Sequence, residues 1–207
     1  MIHAPTQTPG RLEGPLTVGG PREGAGPVPR VVGLDLSLTS TGVASNAGWT
    51  ERIRTRPGAD PFTRLRTIRS EVLDRVRGGL EHADLVVVEG PAFRGAGNET
   101  GHHQRAGLWW LVLEAIDARD IPWAQVPPAC LKRYATGKGN ASKDEVLAAV
   151  IRRFPAVEVA GNDAADALVL AAMGADHMGV PMVEMPAAHR TGLAKVAWPT
   201  LAARSET

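Results

Sequence analysis

Short apolar segments of strand length recur along this 207-residue chain, and helical patterns separate the later ones. Residues 31–38 (VVGLDLSL), 84–90 (DLVVVEG) and 121–127 (IPWAQVP) are largely apolar, as strands buried on both faces of a sheet are. Two further strand patterns, at 42–48 and 50–56, directly follow the first one. The sequence therefore predicts an antiparallel three-strand meander, followed by parallel strands that are connected through helices.

Helical patterns fill the intervals between these strands. Residues 61–80 begin with a proline, and Leu65, Ile68, Val72 and Val76 recur there at the spacing of one helix face. The other predicted helices are 103–119, a short helix within 127–137, 141–154 with Ser142 and Glu145 as a capping box, and 162–178. Together these elements predict an α/β fold in which helices cover a mixed sheet.

Composition predicts one folded domain with a flanking segment on each side. Hydrophobic residues make up 43% of the chain, which is enough for a packed core. Residues 1–29 contain six prolines and six glycines without apolar periodicity, so we expect a flexible arm there. Residues 30–178 carry the regular patterns, whereas 179–207 are broken by prolines and predict a C-terminal tail.

Several protein classes are excluded by the same composition. No apolar run approaches the roughly 20 residues of a membrane helix, and the N-terminus lacks the pattern of a secretory signal. Cys130 is the single cysteine, so neither an internal disulfide nor a cysteine-based zinc site is expected. The expected location is the cytoplasm. Because 23 basic residues nearly balance 22 acidic ones, the net charge does not indicate a nucleic-acid-binding protein.

Four carboxylates occupy positions that a packed core does not require. Asp35 lies inside an apolar strand pattern, where an unpaired carboxylate is costly to bury, and Glu89 ends the run LVVVE. Asp163 and Asp166 are three residues apart near the start of one predicted helix, so they share a face. Glu89 has an ordinary alternative as a solvated strand end, and Asp163 has one as a helix cap. Asp166 fits that alternative poorly because it interrupts an apolar face.

These carboxylates together favour a site for hard metal ions. Oxygen-only ligands on two strands and one helix suit Mg²⁺ or Mn²⁺ better than zinc. A pair of such ions can stabilise the attacking and leaving oxygens of a phosphodiester. Because clustered like charges repel each other, the metal-free protein is expected to be less stable than the metal-bound one.

Four sequence motifs carry a resemblance to a known family. The motifs are GLDLSLTSTG at 33–42, VVVEGPAF at 86–93, LKRYATGKGNASKDEV at 131–146 and NDAADALVLA at 162–171. In order and spacing they resemble the RuvC family of Holliday-junction resolvases, and most of all its divergent phage and actinobacterial branch. The resemblance covers roughly residues 30–176. The first motif also occurs in actin-like and sugar-kinase-like ATPases. The resemblance to the RuvC family therefore rests on the combination of all four motifs.

The resemblance implies a ribonuclease H-like fold and an obligate homodimer that nicks two strands of a four-way junction symmetrically. It also implies two Mg²⁺ ions per active site, with Mn²⁺ as a substitute. The implied metal ligands are Asp35, Glu89, Asp163 and Asp166. In-line attack of a metal-activated water on phosphorus would leave a 5′-phosphate and a 3′-hydroxyl.

Two lysines match family positions near the scissile phosphate. At the positions of Lys132 and Lys143, an ammonium group would offset phosphate charge or support the developing negative charge. From the residues alone, Lys143 is better explained as a solvated residue in the first turn of a helix. The catalytic role of both lysines therefore rests on the resemblance.

The loop after the second core strand carries candidate DNA contacts. Phe93, four residues after Glu89, can stack on an unpaired base of the junction, or it can pack beneath its own loop. The basic residues expected to contact DNA are Arg94, Arg105, Lys132, Arg133, Lys138 and Lys143. In the apolar helix 103–119, one of Trp109 and Trp110 is expected in the core and the other at a dimer contact.

Two other functions stay open alongside a junction nuclease. An actin-like or sugar-kinase-like ATPase would use the Asp35 loop for phosphate, although such folds usually need two domains and a longer chain. A non-catalytic junction-binding protein is the second alternative, although all four acidic positions are filled. The partners expected for the leading hypothesis are branched DNA and a second copy of the chain, without a membrane. Whether a branch-migration helicase delivers the junction is left open by the sequence.

Overall fold

A five-stranded mixed sheet crosses the middle of the molecule, whose computed structural model describes residues 28–78, 82–91 and 99–201. The strands are β1 (Val31–Asp35), β2 (Ser40–Ser45), β3 (Trp49–Arg54), β4 (Leu85–Glu89) and β5 (Trp123–Val126). Their order in the sheet is β3-β2-β1-β4-β5. β1, β2 and β3 pair antiparallel, whereas β4 pairs parallel with both β1 and β5. The predicted meander followed by parallel strands is confirmed.

Helices cover both faces of this sheet. The helices are α1 (Pro61–Arg77), α2 (Glu99–Asp117), α3 (Pro128–Thr136), α4 (Lys143–Arg153), α5 (Asn162–His177) and α6 (Ala187–Arg190). Side chains alternate along β1, so Val32 and Leu34 pack with α1 and α2, whereas Val31 packs with α3, α4 and α5. In the described ranges, none of the helices has the length and apolar character needed to cross a membrane.

Two helix boundaries differ from the sequence-based expectation. α1 ends at Arg77 rather than at residue 80, because Gly78 takes a left-handed conformation (φ 53°) and its N–H bonds the Asp74 carbonyl. α2 begins at Glu99, four residues before the apolar pattern on which its predicted start rested.

α5 lies unusually close to the sheet because glycines face it. A Cβ atom on Gly33 would lie 2.1 Å from the Ala167 carbonyl oxygen, and one on Gly42 would lie 1.9 Å from the Asp163 carbonyl oxygen. Residues 164–176 of α5 are all buried. The absence of side chains at the two glycines therefore lets the N-terminal half of α5 lie directly against β1 and β2.

Replacing Gly33 with alanine is expected to lower the free energy of unfolding by about 3 kcal/mol or more, since the new methyl group collides with the backbone of α5. Gly107 is the matched control, because it lies in α2 with open space around its Cα. Gly107→Ala should raise stability by about 0.5–1 kcal/mol through helix propensity. Urea unfolding of both variants measures the difference, and equal stabilities would contradict the close packing of α5.

Residues 179–201, expected as part of a C-terminal tail, pack against the face that holds α3 and α5. Met185 and Val196 are buried in that core. The buried Asp176 carboxylate accepts two bonds from Arg190, at 3.0 Å from Nε and 2.6 Å from Nη2. It also accepts a bond from the Tyr134 hydroxyl at 3.1 Å. Scattered apolar residues and a few polar contacts hold this segment, and because they follow no regular spacing the sequence shows only a weak pattern there.

Candidate active site

Three carboxylates converge where β1, β4 and the start of α5 meet. Asp35 is the last residue of β1, and Glu89 is the last residue of β4. The parallel pairing of Leu34 with Val88 places these strand ends side by side. Asp166 approaches from α5, and one carboxylate oxygen from each of the three residues lies within 4.8 Å of the others. The structure therefore brings together residues that are up to 131 positions apart in the sequence.

Burial and mutual repulsion make this group unfavourable when it is fully ionised. Burial raises the pKa of Asp35 well above its usual range, and the charges of Glu89, Asp166 and Asp163 raise it further. Burial also raises the pKa of Glu89. For Asp166, the pKa is raised to about 7, mainly by burial and secondly by repulsion from Glu89. The site consequently requires either bound protons or a cation at neutral pH.

The donor set fits a hard divalent cation. Each of the three residues offers a carboxylate oxygen, and neither a cysteine sulfur nor a histidine nitrogen belongs to this cluster of described residues. Mg²⁺ and Mn²⁺ prefer such oxygen ligands, and a divalent ion would remove the electrostatic cost that raises the three pKa values. The described geometry and donor set therefore fit a hard divalent cation.

The charges of Lys143 and Lys132, on α4 and α3, act on the carboxylates of this group. Lys143 is the first residue of α4, directly after Ser142 and its capping box. A lysine is disfavoured there by the helix dipole, so helix stability does not explain its position. Its charge lowers the pKa of Asp35, Glu89 and Asp166. Lys132 of α3 acts in the same direction on Glu89 and Asp166.

Asp163 lies beside the group of three rather than within it. Its carboxylate accepts a bond from Arg52 of β3, with Nη2 and Oδ2 3.2 Å apart. Arg52 also donates to the Ala160 carbonyl at 2.6 Å and to the Ser40 hydroxyl at 3.0 Å, so its guanidinium is fixed. Asp163 is still close enough to raise the pKa of Asp35. Nothing in the sequence pattern pointed to Arg52, which is 111 positions away from its partner.

Trp109 of α2 holds the end of β4, where Glu89 lies. Its indole N–H donates to the Glu89 carbonyl at 3.2 Å, and its ring meets Trp110 and Trp123 edge to face. Trp109 is buried, whereas Trp110 is 64% exposed. The apolar pattern of the helix predicted one buried tryptophan, but it contained no signal for the bond to Glu89.

The remaining predicted DNA contacts that the structure describes lie on α2, on α3 and on the segment that follows α3. Arg105 is exposed on α2, and Arg133 is half-buried on α3. Lys138 is exposed, with its ammonium group 3.9 Å from the Glu145 carboxylate. Phe93 and Arg94 lie outside the described residues. The role of this set in DNA binding stays a prediction.

Replacing Arg52 with glutamine is expected to tighten divalent-ion binding about fivefold, which corresponds to about 1 kcal/mol. The reason is that Asp163 loses its neighbouring cation, so the local negative charge increases. Arg54→Gln is the matched control, since Arg54 is exposed on the same strand. Calorimetric titration with Mn²⁺ measures both variants. Unchanged affinity in Arg52→Gln would mean that Arg52 does not compete with the ion for Asp163.

Comparison with known proteins identifies relatives over most of the described chain. No family model matches. The crossover junction endodeoxyribonuclease RuvC of Parasynechococcus marenigrum (strain WH8102) is 32% identical over 154 residues, which is 70% of this chain and 97% of the relative. The protein of the same name from Frankia alni is 34% identical over 155 residues, which is 69% of this chain and 75% of the relative.

A solved structure shares the fold. The structure of T. thermophilus RuvC in complex with Holliday junction substrate is 22% identical, with a TM-score of 0.56, and the match covers 76% of this chain and 99% of that chain. A second Thermus thermophilus RuvC structure matches with a TM-score of 0.52. The predicted ribonuclease H-like fold is thereby confirmed. On the strength of the sequence relatives, the chain belongs to the RuvC family of crossover junction endodeoxyribonucleases.

Proposed function

We propose that this protein is a metal-dependent, structure-selective DNA endonuclease that resolves four-way junctions by paired symmetric nicks. The convergence of Asp35, Glu89 and Asp166 within 4.8 Å is the observation that carries the proposal. The names of the relatives support the reaction, and the junction in the Thermus complex supports the substrate. Neither observation favours an ATPase or a non-catalytic binding protein.

In the proposed chemistry the carboxylates bind metal ions and the lysines offset the charge of the phosphate. Asp35, Glu89 and Asp166 would hold the divalent ions, and Asp163 would be a fourth ligand in place of its ion pair with Arg52. Two Mg²⁺ ions, or Mn²⁺ in their place, would supply Lewis-acid stabilisation of the attacking and leaving oxygens.

The lysines would act on the phosphate itself. Lys143 and Lys132 offset the charge of the scissile phosphate, since both already lower the pKa of Glu89 and Asp166 across the site. Attack of water on phosphorus breaks the P–O3′ bond, so the products carry a 5′-phosphate and a 3′-hydroxyl.

A homodimer supplies the second nick in this proposal. One chain offers one group of three carboxylates in its described part, whereas symmetric cleavage needs two centres. Trp110 is a large exposed aromatic on α2, next to the tryptophan that bonds Glu89. Exposed aromatics are enriched at protein interfaces, so we place the contact between copies on this face of α2.

The direct test is cleavage of a mobile four-way junction whose strands are labelled one at a time. With Mg²⁺, the account expects nicks at matched positions in two opposed strands on a denaturing gel, and far less cleavage of a linear duplex. Without a divalent ion, no nick is expected. Tight junction binding without cleavage in Mg²⁺ or Mn²⁺ would favour the non-catalytic alternative, and ATP turnover would favour the ATPase.

A further inference from the structure

A basic recess of about 250 Å³ lies at the opposite end of the sheet from the carboxylates. It is lined by α1 residues and by segments that precede β4 and β5, among them Arg69, Arg77, His82 and Arg119. β4 begins at Leu85 and ends at Glu89, and a strand of five residues spans roughly 15 Å. The recess is therefore separate from the active site described above.

The recess carries an excess of positive charge. Three guanidinium groups and one imidazole line it, against the single carboxylate of Asp74. Among the residues that the structure describes, Arg69, Arg77 and Arg119 take part in no ion pair. The position of Arg77 in the last turn of α1 is also favourable for the helix dipole. The same explanation covers Arg119, which donates to the Ala115 carbonyl at 2.5 Å near the end of α2, but it does not extend to Arg69 in the middle of α1.

One donor in the wall lacks an acceptor. The Nε atom of Arg69 is buried and has no hydrogen-bond partner. A buried donor without a partner destabilises the folded protein, so an acceptor that enters the recess and reaches Nε would remove that cost. Two independent observations, the uncompensated charge and the unsatisfied donor, thus indicate an anionic ligand.

We infer that this recess is a binding site for a phosphate group. A tetrahedral phosphate can accept hydrogen bonds from several elements at once, and arginine is the side chain best suited to bind it. Here the donors come from α1, from the segment before β4 and from the turn after α2, with the Ser70 hydroxyl beside them. The phosphate belongs either to a small phosphorylated compound or to the backbone of a DNA arm. The inference is independent of the proposed nuclease activity.

The test uses the full chain in a metal-free buffer with a chelator. Inorganic phosphate is titrated by calorimetry and by NMR of the arginine Nε–Hε signals, with sodium chloride at equal ionic strength as the reference. An Arg69→Lys variant assigns the Arg69 signal. The variants are Arg77→Ala, Arg119→Ala and their combination, all at exposed positions. Arg152→Ala, which removes an exposed arginine from α4, is the matched control.

Saturable binding of one phosphate, with a shift of the Arg69 signal, is the expected result. The double variant should bind at least about tenfold more weakly, and Arg152→Ala should bind like the parent. A short blunt duplex that produces the same shift, and that phosphate displaces, would identify a DNA arm as the source. Phosphate binding without a duplex effect would identify a small compound. A response no larger than that to chloride, or a double variant that binds as tightly as the parent, would overturn the site.

Discussion

Junction cleavage by an Asp35→Asn variant is expected to be slower than that of the parent by about a thousandfold or more, equivalent to about 4 kcal/mol of transition-state stabilisation. Asp35 is repelled by every other carboxylate at the site, since the charges of Glu89, Asp166 and Asp163 each raise its pKa. The neutral amide keeps the shape of the side chain but lowers the affinity for divalent ions. Single-turnover cleavage of a labelled junction in saturating Mg²⁺ measures the loss.

The matched control for this variant is Asp117→Asn. Asp117 is an exposed aspartate at the end of α2, and its interaction with the Trp123 indole at 3.4 Å can be retained by asparagine. It should cut at the parental rate. The Asp35 variant should still fold and still bind the junction, because its substitution removes a buried charge rather than a packing contact. Cleavage by Asp35→Asn within tenfold of the parent would remove this residue from the catalytic group.

Stability of the metal-free protein is expected to fall as the pH rises from 5 to 8. The pKa of Asp166 is about 7 in the folded protein, against an ordinary value of 3.8. Between these values the folded state binds more protons than the unfolded state, so raising the pH favours unfolding. The loss is on the order of 3 kcal/mol over this interval, and the raised pKa values of Asp35 and Glu89 act in the same direction. Urea unfolding at several pH values, with a chelator present, measures the slope.

Two changes should flatten this pH dependence. Asp166→Asn removes the titrating group, so its metal-free form should be more stable than the parent at pH 8. Saturating Mg²⁺ should stabilise the parent most at high pH, since the ion binds the ionised carboxylates. Glu184→Gln, at an exposed carboxylate after α5, should leave the slope unchanged. A metal-free parent whose stability rises from pH 5 to pH 8 would contradict the burial of repelling carboxylates.

The elements that hold the active site were predictable because each has its own pattern. The apolar runs that end at Asp35 and Glu89 marked buried strands, and strand ends are where polar side chains can leave a core. Asp166 stood out because it interrupts an apolar helix face. Local patterns therefore marked these three residues as candidates, together with Asp163, which lies beside the group.

Contacts between distant segments could not be found in this way. Arg52 and Asp163 lie on elements whose separate patterns contain no sign that they meet. The need for glycine at Gly33 and Gly42 becomes visible only when the backbone of α5 is placed against them. The anchor between Asp176 and Arg190 likewise depends on one polar contact rather than on periodicity.

Anomalous diffraction from crystals of the protein grown with Mn²⁺ is the most direct measurement of the acidic site. The account predicts at least one anomalous peak within coordinating distance of Asp35, Glu89 and Asp166, and loss of that peak in crystals of Asp35→Asn. Peaks located only elsewhere on the molecule, with these three carboxylates left without an ion at saturating Mn²⁺, would contradict it.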